Sequence, residues 1–83
     1  MERKYIVACR YPTGYNDAYG LLKQENAWNV ALNCCKSIMD YYADCEGAIV
    51  EVSECVEKTY LRLVVRENGK PAEYIWLICE AYL

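Results

Sequence analysis

Residues 58–83, KTYLRLVVRENGKPAEYIWLICEAYL, decide the fold, because they read as two β-strands joined by a tight turn. Both arms are rich in β-branched and aromatic residues. Glu67-Asn68-Gly69 between them reads as a three-residue loop, a type I turn closed by a glycine in the left-handed conformation. That loop pairs Val65 with Pro71, Leu61 with Ile75 and Tyr60 with Trp76. Strand side chains alternate between faces. One face then carries Leu61, Leu63, Val65, Ile75, Leu77 and Cys79. The other carries Tyr60, Arg62, Val64, Tyr74, Trp76, Ile78 and Tyr82. Both faces are apolar. A small domain with one helix covers one of them, so the second is expected to meet something else.

Working upstream, residues 48–56 alternate, with Ala48, Val50 and Val52 on one face and Ile49, Glu51 and Ser53 on the other. A tight turn near Val56-Glu57 sets Val52 opposite Leu61, Val50 opposite Leu63, Glu51 opposite Arg62 and Ser53 opposite Tyr60. Before this strand, residues 26–45 repeat at helical spacing. Trp28, Ala31, Leu32, Cys35, Ile38, Met39 and Tyr42 fall on one arc, and Asn29, Asn33, Lys36, Ser37, Asp40 and Asp44 on the other. Asn26 reads as the N-cap and Gly47 as the stop.

Residues 4–11 read as a first strand ending at Pro12. Residues 13–23 read as a loop, in which Tyr15 and Tyr19 among Gly, Asn and Asp have the composition of an adaptable binding loop. The predicted architecture is one α+β domain over residues 1–83, in the order β-α-β-β-β. Its sheet is mixed and four-stranded, with one amphipathic helix packed on one face. A single helical crossover makes the first strand parallel to its neighbour.

Composition narrows the function. The chain has 83 residues, and at 55% hydrophobic it is too apolar for disorder. No apolar run approaches the twenty residues of a membrane span. The opening MERKYIV lacks the apolar segment of a signal peptide, which points to the cytoplasm. Nine Lys and Arg are scattered without a basic run and the net charge is −3, so the footprint of a nucleic-acid binder is missing. The six cysteines lie in strand and helix patterns without CxxC spacing, and there is no histidine. Reduced, mostly buried thiols are therefore expected, with neither metal nor cofactor, and Cys34 at the edge of the helical face is the candidate exposed thiol. Without histidine the commonest general base is also absent, and no catalytic residue is expected.

The candidate site is the aromatic sheet face, Tyr60, Arg62, Tyr74, Trp76 and Ile78, joined by Tyr15 and Tyr19 of the loop. Three aromatics at ~150 Å² each make a patch of about 450 Å², near the limit that monomers expose. The expected function is a small cytoplasmic protein-binding module, an inhibitor or adaptor acting by surface occupation, as a homodimer packed sheet on sheet. The alternative is a protein that sequesters a small ligand or nucleotide between protomers near Tyr15, Tyr19, Arg62 and Trp76. In size and composition, though in no motif, the chain resembles the small single-domain inhibitors made by bacteriophages and mobile elements, anti-CRISPR proteins among them.

Overall fold

The computed structural model describes residues 3–14 and 16–81. The elements are β1 (Lys4–Arg10), β2 (Asn16–Leu22), α1 (Gln24–Ala43), β3 (Ala48–Glu54), β4 (Tyr60–Glu67) and β5 (Lys70–Ala81). They form one α+β domain, a single sheet with a single helix on one face, as the sequence predicts. The strands lie in the order β2-β1-β5-β4-β3, and each neighbouring pair is antiparallel.

Two details differ from the predicted mixed four-stranded sheet, and they have one cause. The segment read as a loop contains strand β2. Asn16, Asp17 and Gly20 are poor strand formers, but cross-strand pairing with β1 outweighs local propensity. The turn before β2 has Gly14 at φ +83°, with its N–H donating to the carbonyl of Tyr11 at 3.0 Å. The chain thus reverses before the helix, and β1 runs antiparallel to β5, from Lys4 opposite Ala81 to Arg10 opposite Ile75.

Helix α1 begins two residues before the predicted cap. Lys23 occupies the N-cap position in extended conformation, with no side-chain hydrogen bond capping the helix, and Asn26 lies in the first turn. Gly47, at φ +82°, serves the connection into β3 rather than the helix end itself, where Asp44 is the C-cap. The buried stripe of the helix is Ala27, Trp28, Ala31 and Cys35. Leu32 and Met39, assigned to the same arc by periodicity, stay 36% and 37% exposed on its flank.

The β4–β5 register decides what the helix covers. Asn68 (φ +54°) and Gly69 (φ +79°) both take left-handed backbone, the signature of a two-residue type I′ turn. Glu67 therefore faces Lys70, and Leu61 faces Trp76 rather than Ile75. A shift of one residue sends each β5 side chain to the opposite face. The β3–β4 connection is also longer than predicted, so Val52 faces Leu63 and Val50 faces Val65. That shift is of two residues and leaves the faces unchanged. The core under α1 gathers Val7 and Cys9 of β1, Leu61, Leu63 and Val65 of β4, and Trp76 and Ile78 of β5.

Candidate partner-binding face

Of the residues predicted to form an aromatic docking face, Trp76 (0% exposed) and Ile78 (6%) lie in the core beneath the helix. Tyr74 is half-buried on the same side. Its ring stacks on Trp76 at 6.3 Å and meets Tyr11 edge-on at 6.0 Å. Burial, then a hydrogen bond with Tyr42, pushes the Tyr74 hydroxyl up to about 12. Trp76 and Ile78 are core and Tyr74 packs against it, and the correction follows from the one-residue change at Asn68-Gly69. Tyr60 and Arg62 stay on the open face. Tyr15 and Tyr82 lie outside the described residues, as does the side chain of Tyr19, whose Cα pairs with that of Val7. Arg62 and Trp76 stand on opposite faces, so a ligand site flanked by both does not assemble within one protomer.

The slip exchanges the occupants of the two faces without making either polar. The open face now presents Ile75, Leu77 and Cys79 of β5. Cross-strand pairs add Ile6 beside Cys79, Ala8 and Tyr60 on either side of Leu77, and Arg10 and Arg62 on either side of Ile75. Leu77 is 43% exposed, and Ile6, Ala8, Tyr60 and Ile75 are half-buried. Among the described residues the one helix lies on the other side, and these side chains are shielded only by one another and by their charged neighbours.

Beyond Ile75 the face becomes ionic. Arg62 Nε donates to Glu73 Oε2 at 2.6 Å, and Arg66 lies 4.0 Å from Glu51. Val64, opposite Glu73 and Glu51, is only 5% exposed. The aliphatic stems of these charged side chains account for that cover. The surface thus has an apolar half and a self-neutralised charged half. Exposed ion pairs of this kind add about 0–1 kcal/mol to stability, so they bear on what the face accepts more than on folding.

Sequence reasoning missed Ile6, Ala8, Ile75, Leu77 and Cys79 as surface residues. The signal was present, since Asn-Gly between two strand patterns most often marks a two-residue hairpin turn.

None of the six cysteines is in a disulfide, but burial is less complete than expected. Cys9 and Cys35 are buried, Cys34, Cys45 and Cys55 half-buried, and Cys79 exposed. Cys79, not Cys34, is the open thiol. Cys55, in the β3–β4 connection, has its sulfur 3.2 Å from the Thr59 hydroxyl and accepts the Thr59 N–H at 3.3 Å. The hydroxyl first, and then the backbone donor, hold this thiol below the usual cysteine range.

Among the described residues, shallow clefts of about 330, 320 and 260 Å³ lie around the rim. The first lies between Trp28 and Asn29 of α1 and Val56 and Lys58 of the β3–β4 connection. Among the described residues no three His, Cys, Asp or Glu side chains gather as metal ligands would, and no helix is long and apolar enough to cross a membrane. Comparison with protein-family models, curated proteins and solved structures finds no match.

Proposed function

We propose that this protein is a homodimeric binding module that acts by occupying the surface of another protein, as an inhibitor or adaptor, through the open face of its sheet. One observation carries the reading. A contiguous apolar cluster, Ile6, Ala8, Tyr60, Ile75, Leu77 and Cys79, occupies the face opposite the only helix among the described residues. Patches of that kind on a small domain mark protein-interaction sites. The rim, with Arg10, Arg62 and Glu73, offers both signs of charge, which suits an orienting polar border around an apolar centre. Six free thiols favour a reducing compartment, and the reading puts the protein in the cytoplasm. Substrate turnover has no part in it.

The test compares wild type with Leu77→Lys in affinity capture from host extract. Both proteins are first checked for equal melting temperature. A partner held by wild type and lost from the variant supports the reading. Equal capture by both, with the fold of each intact, rules the face out.

A further inference from the structure

We infer that the second copy of this chain sits at the β3 edge of the sheet, pairing β3 with β3 in antiparallel register about Val50, and leaves the open face free for the foreign partner. This inference rests on the homodimeric part of the function proposed above.

The sheet has two edges, and they differ. Strand β2 carries Asn16, Asp17 and Gly20, and its ladder with β1 is interrupted by a register shift between Tyr5 and Val7. Bulges and poor strand formers of this kind blunt an edge. Strand β3 has no bulge, and its charged residues, Glu51 and Glu54, restrict the register in which it can pair rather than interrupt its ladder. Its ladder with β4 runs unbroken from Ala48 to Glu54, without proline, lysine or bulge. Apolar side chains flank it on both faces, with Ile49 60% and Val52 44% exposed.

The backbone shows which groups await a partner. The N–H of Cys55 donates to the carbonyl of Tyr60 at 3.2 Å, so odd-numbered residues of β3 turn their backbone groups toward β4. Val50 and Val52 therefore turn theirs outward. The N–H of Ala48 already donates to the carbonyl of Cys45 at 3.3 Å, which leaves Ala48 an outward carbonyl. In a two-fold pair about Val50, each Val50 N–H meets the partner's Val50 carbonyl, and each Val52 N–H meets the partner's Ala48 carbonyl.

Charge and pairing length together select this register among those that keep both helices on one side. Centred on Ile49, the pair would carry Val52 past Ala48, the first residue of the partner strand, and lose the bonds of both Val52 N–H groups. Centred on Glu51, the pair would set two carboxylates directly opposite, and like charges so placed are destabilising. Centred on Val52, it would press Glu54 against Val50. Centred on Val50, it matches Val50 with Val50 and Val52 with Ala48, sets Ile49 against the stem of Glu51, and leaves Glu54 beyond the paired stretch. The strand is thus complementary to itself in one frame, which is what a closed two-fold contact requires. One open edge per protomer makes the assembly stop at two. So short an interface falls in the small, reversible class.

The test is sedimentation over a range of concentration, with amide exchange measured in parallel. Wild type should dimerise reversibly. The amides of Val50 and Val52 should slow by about tenfold or more as the dimer fills, while those of Ile49, Glu51 and Ser53, bonded to β4, change little. Val52→Pro removes an N–H that no bond within the protomer uses, and it should leave a folded monomer. Ile49→Glu, facing Glu51 of the second copy, should weaken association at least tenfold, whereas Ile49→Lys should not. Leu77→Lys should leave the dimer intact. A dimer split by Leu77→Lys and untouched by Val52→Pro overturns the edge assignment alone. A wild-type protein monomeric at every concentration overturns the edge assignment and the homodimer together, while the binding role of the open face is judged separately by the Leu77→Lys capture.

Discussion

At the scale of single residues, Trp76 and Leu77 are adjacent in the chain and opposite in surroundings, one fully enclosed and the other 43% exposed. Trp76→Ala should cost about 3–5 kcal/mol of unfolding free energy, the range for emptying an aromatic site in a core. Leu77→Ala should stay within about 1 kcal/mol. Chemical denaturation of the pair checks the register, and the reverse order of effects would restore the three-residue loop. Tyr74 gives a pH-dependent reading of the same core. Its folded-state value of about 12 lies above the ordinary tyrosine value of 10. The native state therefore keeps a proton that the unfolded chain releases between those limits, and this contribution to stability, full below pH 10, is lost as pH rises toward 12. Tyr74→Phe should flatten the fall of stability across that window, measured as melting temperature against pH. Cys55 is shifted the other way by donors from Thr59. Thr59→Val should move the pH profile of its alkylation upward, read by thiol alkylation and peptide mass mapping at Cys55.

At the scale of elements, the hairpin turn governs more than its own two residues. Gly69 sits at φ +79° with nothing within 4 Å of where a Cβ would stand. Gly69→Ala should therefore destabilise by ~1–2 kcal/mol through backbone conformation alone, a loss measurable by urea titration. Strands β1, β3, β4 and β5 and the helix were legible in the sequence, because apolar alternation and helical periodicity are strong over such lengths. Strand β2 was not, because its residues resist β structure locally and adopt it through the partner that β1 provides. Helix α1 has no side-chain cap to announce its start. The candidate site was legible in kind but not in content: two apolar faces and one helix imply an open face in either register. Deciding which residues occupy it depended on one residue of loop length, since a period of two converts each odd slip into a change of face. The β3–β4 connection was misjudged by an even number, and there the faces came out right.

At the scale of the whole molecule, five strands at ~4.8 Å spacing make a sheet about 20 Å or more across, roughly twice the width of one helix. The one helix among the described residues helps enclose Leu61, Leu63 and Val65 of β4 but leaves Val52 of β3 and its own Leu32 and Met39 partly bare. Incomplete cover on one side and an open apolar face on the other are consistent with a domain made to be finished by association. The order of strands has a further consequence, for how the chain comes to fold. Strand β5, which follows the other four described strands in sequence, lies at the centre of the sheet between β1 and β4, with Ala81 opposite Lys4. The β1–β2 and β3–β4 hairpins have no ladder in common until β5 arrives to join them. On the ribosome, these hairpins would wait as separate, marginal pieces until β5 had left the exit tunnel. Folding would then complete in one step, and the open apolar face, which runs across β1, β5 and β4, would come into being only at that moment.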